Sequence, residues 1–455
     1  MNNHKGRITG IIQDDENPIY FVLEDFHITF MNNTLKHVAR KIVPKDGFIH
    51  GKTFDKHTIA IKCGSKSIDF VEYVPFNAVS YVEKCNYKPD YKIEEFDSIV
   101  FRGGTLNSLL VHNAIVENRE QTVYGERFVY DVNDDNIEFN FNYKNENCTV
   151  KIYSIYQFGG SAYGQYINNN DVAIKITCPK KHPLIDVYSF RSKVLDVMSI
   201  LTYRKNVGFD SIDVYNSDED DVAAHVYVNE EYEYTTKQIQ TNIKFSDIKD
   251  CFLSALFETV FNSDEKDTKY LFEFIPQDDN KARFINYNMI RCAASSLELE
   301  HKLLNKKDVE DGKEKTLIPQ NDEQLKLLID QIKSLVEESK KSEKPLSEKT
   351  YSYINGNISN WSYPFAEKIS NLIERHKEAF SELYQLDVST VNDNVESFKR
   401  FRNKITHGGI NVFDENVVKT TQAMIGLVYC CFLERVGLDE DKIVKLCKQV
   451  IKRNV

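Results

Sequence analysis

The chain has 455 residues, enough for two or three domains, and 41% of them are apolar, enough to fill their cores. Its formal net charge of -11 excludes a protein that coats nucleic acid indiscriminately, because such binding rests on many phosphate contacts by Lys and Arg; any RNA contact has to be local. The nine cysteines are scattered, with no Cys-x2-Cys pair and no His-Glu-x2-His run. No metal site or cofactor is therefore expected, and the thiols read as reduced and cytosolic.

Residues 1–18 lack the apolar core of a signal peptide, and the run Ala423 to Leu433 is too short to span a bilayer. A soluble, cytoplasmic protein is the expectation. From Lys5 to about Cys178 the pattern is that of strands, clearest where Ile137, Phe139, Phe141 and Tyr143 alternate with Glu138, Asn140 and Asn142. Lys144-Asn145-Glu146-Asn147 reads as a turn into a return strand carrying Val150, Ile152 and Tyr156. Val172, Ile174 and Ile176 mark another strand, and the whole reads as an antiparallel sheet or sandwich.

Gly103-Gly104 and Gly159-Gly160 invite a phosphate-loop reading, but no Gly-Lys-Ser/Thr follows and no helix clearly opens after them, so turns and bulges are favoured. Tyr153, Tyr156, Tyr163 and Tyr166 fit a ligand surface or cross-strand packing, with packing preferred. After Pro183 the residues Val187, Phe190, Val194, Val197, Met198 and Leu201 take up helical spacing, and Ile212 with Val214 suggests a last short strand.

Near residue 245 the composition turns helical, which divides the chain into a β-rich N-terminal region 1–245, a helical connector 246–281 and a helical region 282–455. The expected helices carry Phe252 to Val260, then Ala282 to Leu304, then Leu325 to Val336. The charged stretch Asn305 to Lys315 reads as a loop, and one long helix is expected from Ser362 to Tyr384. His301 and His376 read as lone histidines on polar helical faces. Glu298, among apolar neighbours, is more simply a surface residue.

The richest chemistry lies in Arg402-Asn403-Lys404-Ile405-Thr406-His407-Gly408-Gly409. Asp393 with Glu396 suggests a capping box, the two glycines a stop, and Val395, Phe398, Phe401 and Ile405 a core-facing stripe. Lys399, Arg400, Arg402 and Lys404 then form a basic edge, either a solvated face or an RNA contact. On a regular helix, positions five apart differ by roughly 140° and about 7.5 Å, so Arg402 and His407 meet only if the helix end bends, as the glycines allow. A guanidinium can hold phosphate oxygens while an imidazole exchanges protons near neutrality. The plainer alternative is that both residues cap and solvate a helix end.

Arg402, Asn403 and His407 resemble the Arg-polar-x3-His motif of HEPN ribonucleases, and Phe401 to Gly409 looks like HEPN proteins of the ApeA type, which act in anti-phage abortive infection. In the N-terminal half the resemblance rests on Gly47-Phe48-Ile49-His50-Gly51-Lys52-Thr53 ahead of Thr58 to Ile61. It implies an α+β chain: a β-rich antiparallel N-terminal domain that senses or regulates, followed by an all-α HEPN-like bundle. It also implies metal-independent cleavage of cellular RNA, with transfer RNA the family-based guess, by attack of the 2′-hydroxyl on the adjacent phosphate. Arg402, Asn403 and His407 would be catalytic and Lys399, Arg400 and Lys404 would bind RNA. A homodimer or higher homo-oligomer would bring two motifs together, and a phage-derived trigger would release the nuclease. Two other readings stay open: a non-catalytic HEPN scaffold for a nucleotide or partner protein, and a ligand-binding β domain, for carbohydrate for example.

Overall fold

The computed structural model describes residues 6–12, 18–32, 39–62, 64–84, 94–110, 116–122, 125–131, 136–161, 164–216, 222–229, 232, 243–248, 252–263, 265–278, 281, 284–310, 323–342, 344–362, 365–384, 391–406 and 415–451. They divide into two compact units, Met1–Ser263 and Asp264–Val455. The first is built on a 15-stranded sheet and a separate two-stranded one. Pairing is antiparallel apart from one parallel register point, Phe128 opposite Gly164. The alternation read from sequence is realised in Ile137–Tyr143, where Ile137, Phe141 and Tyr143 are buried and Glu138, Asn140 and Asn142 exposed. Lys144 and Asn145, both at positive φ, make the two-residue turn into Glu146–Ser161. That strand pairs with Gly164–Pro183, which pairs with Glu95–Arg102. The Phe48–Thr53 and Thr58–Lys62 hairpin contains the glycine-rich stretch singled out above; a Cβ on Gly51 would come within 2.9 Å of the Ile11 carbonyl, so the close strand approach requires glycine.

Helix α1 (Val187–Thr202) buries Val187, Phe190, Val194, Val197, Met198 and Leu201, the stripe the spacing predicts. Phe190 packs edge-on against Phe96 at 5.8 Å and Phe261 at 5.9 Å. A short helical turn, α2 (Phe245–Ile248), precedes α3 (Leu253–Asn262). The expected connector 246–281 is split by tertiary packing. Phe257 and Phe261 of α3 lie on Phe141, with ring centroids 5.7 and 4.9 Å away. Polar side chains of α3 also satisfy the hairpin backbone: Glu258 Oε2 accepts from Asn142 N at 3.1 Å and Asn262 Oδ1 from Lys144 N at 3.1 Å. The first unit accordingly runs to Ser263, and α4 (Glu265–Phe274) belongs to the second.

The second unit continues with α5 (Tyr287–Glu310), α6 (Glu323–Lys340), α7 (Glu348–Ser362), α8 (Phe365–Arg375), α9 (Lys377–Tyr384), α10 (Val391–Thr406), α11 (Glu415–Arg435) and α12 (Glu440–Val450). Ile290, Ala293, Ala294, Leu297 and Leu304 of α5 are buried, and α11 lies along this helix. α10 packs against α8, α5 and α11, while α12 packs against α9 and α11. Residues Val417–Arg435 are apolar and long enough to cross a membrane, but 78% of that window is buried inside the unit, the signature of a core helix.

Three expectations are corrected here. α5 continues through Asn305 to Glu310 where a loop was expected, because no breaker interrupts it and Lys307 Nζ reaches the carbonyls of Glu434 at 2.9 Å and Arg435 at 3.0 Å, neutralising the C-terminal end of α11. The expected single helix Ser362–Tyr384 is two, broken at His376, and it is preceded by an α7 that the charged run concealed. α10 begins at Val391, so Asp393 stands inside its first turn rather than at a capping box.

Candidate active site

α10 places the motif on its last turns. Val395, Phe398 and Phe401 are buried and hold one face to the core, which turns Arg400, Asn403 and Lys404 toward other faces and leaves Arg402 at the edge of the buried one. Arg400, Asn403 and Lys404 are exposed; Lys399 and Arg402 are half-buried. The Arg402 guanidinium carbon stands 5.4 Å from the centroid of the Phe365 ring, and Nη1 donates to Asn403 Oδ1 at a long 3.4 Å. Arg402 and Asn403 are thus brought together. Lys399 pairs with Glu396 one turn earlier, at 3.2 Å, so part of its charge is answered locally. His407 lies outside the described residues, as do Gly408 and Gly409. The arrangement shown is therefore a planar, cationic hydrogen-bond donor beside an exposed amide at the C-terminal end of a helix.

Within the same helical unit runs a buried polar seam that the sequence did not reveal. Glu300 of α5 is fully buried and accepts from Arg435 Nε and Nη2, both at 3.1 Å, and from the Tyr270 hydroxyl. Burial pushes the Glu300 carboxyl up, and the guanidinium of Arg435 opposes that push. One residue earlier, Glu434 accepts from Arg375 Nε at 2.7 Å and meets His376 Nε2 at 3.2 Å. Burial raises the Glu434 carboxyl, but His376 and Arg375 outweigh it and hold the group down to about 2. His376 Nδ1 is 2.9 Å from Glu440 Oε2, and Ala379 N donates to Glu440 Oε1 at 3.2 Å, so one carboxylate pins both the ring and the start of α9. Burial works against a charge on His376, yet its pKa is raised. Cys431 also faces the ring, but burial lifts that thiol to about 11 and leaves it neutral near pH 7, so the carboxylates of Glu434 and Glu440 hold the proton there.

His301 and His376, expected on polar faces, are both buried, at 5% and 1% exposure. His301 is depressed to about 4 by burial and then by the charges of Lys368 and Arg375. Glu298 is paired with Lys368 at 3.5 Å. The signal available in the sequence was the adjacency of Arg375 with His376 and of Glu434 with Arg435, two charged dipeptides beside apolar runs.

Elsewhere the other candidates resolve into structure. Gly103 and Gly104 both have positive φ, and Gly104 N donates to Asp210 Oδ2 at 2.6 Å. A short 3-10 helix, Gly104–Ser108, does open there, contrary to expectation, but it forms the closing turn of a strand. Gly159 and Gly160 lie in a strand opposite Tyr166 and Gln165, just past a bulge. Tyr153 lies 6.0 Å from Lys151 Nζ; Tyr163 and the Tyr166 side chain lie outside the described residues. A groove of about 430 Å³ along α5, lined by Asn288, Arg291, Ser295 and Tyr270 among others, contains none of the motif residues.

A large antiparallel sheet unit followed by a helical unit defines an α+β chain whose C-terminal region is a helical bundle. Residues 293–442 match the family model for the Apea-like HEPN domain, so the helical region is similar to that domain over 150 of the chain's 455 residues. The match takes in α5 through the start of α12 and includes Arg402, Asn403 and His407. Domains of this class are generally of ribonuclease type, which gives the helical unit a nuclease-like character and associates it with defence. No curated protein and no solved structure matches the chain.

Proposed function

We propose that the chain is a metal-independent endoribonuclease that cuts cellular RNA during anti-phage abortive infection. The observation that carries this reading is the coincidence of an Apea-like HEPN match over residues 293–442 with Arg402 and Asn403 side by side at the end of α10. In the proposed reaction the ribose 2′-oxygen attacks the neighbouring phosphorus and the 5′-oxygen leaves, giving a 2′,3′-cyclic phosphate and a 5′-hydroxyl end. Arg402 stabilises the negative charge that grows on the phosphate oxygens. Asn403 positions that phosphate. His407 relays a proton as general base or acid, and one imidazole per chain makes a second copy, contributing its own motif, the natural completion of the site. Arg400, Lys404 and, after exchange with Glu396, Lys399 hold the backbone on either side. RNA is required because DNA lacks the nucleophile.

The test is cleavage of total cellular RNA in EDTA by wild type, Arg402→Ala and His407→Ala, with oligomeric state and melting compared. Cutting by wild type alone, leaving cyclic-phosphate ends, is the expected result. Silence of wild type both in the tube and in phage-infected cells sinks the nuclease reading and leaves a binding scaffold in its place.

A further inference from the structure

Arginine side chains on a helix surface sample many rotamers, so a guanidinium that must meet a phosphate in one geometry needs something to restrain it. On α10, Phe398 and Arg402 are four residues apart and lie on the same face. Phe365, the first residue of α8, meets both. Its ring is stacked on Phe398, with centroids 6.4 Å apart and an interplanar angle of 19°, and it stands 5.4 Å from the Arg402 guanidinium carbon. Phe398 is only 2% exposed, which makes it a fixed support for a ring that is itself half-buried. The aromatic quadrupole attracts the cation without neutralising it, unlike a carboxylate, which would compete with phosphate for the same N–H groups. Lys368, one turn further along α8, is engaged with Glu298 at 3.5 Å.

We propose that Phe365 is a positioning residue for Arg402: an aromatic shelf, held by Phe398, that sets where the guanidinium meets the scissile phosphate. The proposal rests on the ribonuclease reading above. A shelf of this kind acts on the transition state through Arg402 alone, so its loss falls on kcat and leaves KM nearly unchanged. Phe365→Leu keeps an apolar side chain but removes the ring, whereas Phe365→Tyr keeps the ring.

The experiment compares single-turnover RNA cleavage by wild type, Phe365→Leu, Phe365→Tyr, Arg402→Gln and the double variant Phe365→Leu/Arg402→Gln. Melting is checked for each, and Arg402 Nε–Hε is followed by NMR for the ring-current shift that Phe365 imposes. Phe365→Leu is expected to lose about five- to ten-fold in cleavage rate and to lose the ring-current shift. Phe365→Tyr is expected to stay within about two-fold of wild type on the same scale. In the Arg402→Gln background Phe365→Leu should have no further effect, because the ring has nothing left to position. Equal losses in both backgrounds, or a folded Phe365→Tyr as slow as Phe365→Leu, overturn the shelf and make the ring ordinary packing. An unchanged Arg402 resonance in Phe365→Leu overturns it as well. These failures differ from failure of the nuclease reading, in which wild type does not cut or Arg402→Gln cuts as wild type does; either result removes the shelf's role along with the reaction.

Discussion

Removing the Glu300 carboxylate is expected to destabilise the helical unit more than any change on the exposed face of α10. Glu300 is fully buried and answers two N–H groups of Arg435, each at 3.1 Å, as well as the Tyr270 hydroxyl. Arg435 is itself only 14% exposed, so Glu300→Ala leaves a desolvated guanidinium without its carboxylate, although Nη2 still donates to the Tyr270 hydroxyl at 3.3 Å. Breaking a buried pair on one side costs about 3–5 kcal/mol, whereas replacing both partners with apolar groups of similar volume is often neutral. For a unit of this size the single change corresponds to a fall of roughly 6–20 °C in melting temperature. Circular dichroism at 222 nm, dominated by the helical signal, follows urea and thermal unfolding. Glu300→Leu/Arg435→Met is expected to regain most of the loss. A cost for Glu300→Ala under about 1 kcal/mol would refute the reasoning, since it would mean that water reaches the pair and screens it.

Stability against pH should peak near 6.5 for opposed reasons. His301 has the ordinary imidazole pKa of 6.5 when unfolded and is lowered to about 4 when folded, so its contribution is present above 6.5 and is lost as pH falls toward 4; His301→Asn should flatten that acid limb in melting curves. His376 is raised, so its contribution is full below 6.5 and declines as pH climbs toward the higher folded value; a His376→Gln melting profile as steep on the alkaline side as wild type would count against this. Gly103→Ala should cost the sheet unit about 1–3 kcal/mol in urea unfolding, because φ is +67° and the new methyl meets the Asp210 carboxylate. Arg400→Ala and Lys404→Ala, both exposed, should leave melting within about 0.5 kcal/mol of wild type while weakening RNA binding in filter-retention assays, most clearly at low salt.

The alternation of Ile137 to Tyr143, the stripe of α1 and the core face of α10 were legible because each is a local pattern with a single period, and tertiary packing merely accepts it. The misses have a common cause in contacts between residues far apart in the chain. Nothing local ends a helix at His376, where neither glycine nor proline stands; the break comes with a ring drawn between Glu434 and Glu440. The charged run after Asn305 looks like a loop until Lys307 is seen capping α11. Glu300 and Arg435 are 135 positions apart, so no window of sequence joins them. Of the proposed site, His407 lies outside the described residues. Arg402 and Asn403 are adjacent and belong to a recognisable motif, while Phe365, which meets the guanidinium, sits on another helix and reads as one more apolar residue.

The two sets of charges in the helical unit behave oppositely, and that contrast separates structure from chemistry. Arg375, Arg435 and His376 are each answered by a carboxylate inside the bundle. Their electrostatic potential is spent within the seam, leaving little for a passing polyanion. Of the cations of α10, Arg400 and Lys404 are exposed, Lys399 is paired with Glu396, and Arg402 stands over the Phe365 ring. On the ribonuclease reading, a chain with a net charge of -11 repels RNA as a whole, so a local group of Arg400, Arg402 and Lys404 would act at close range, where contact and desolvation outweigh the long-range field. Raising the ionic strength should therefore weaken binding through only a few phosphate contacts, giving a shallow salt slope. A steep slope equivalent to about eight or more neutralised phosphates would require a larger cationic surface than α10 offers, and would place the RNA on a different face of the protein.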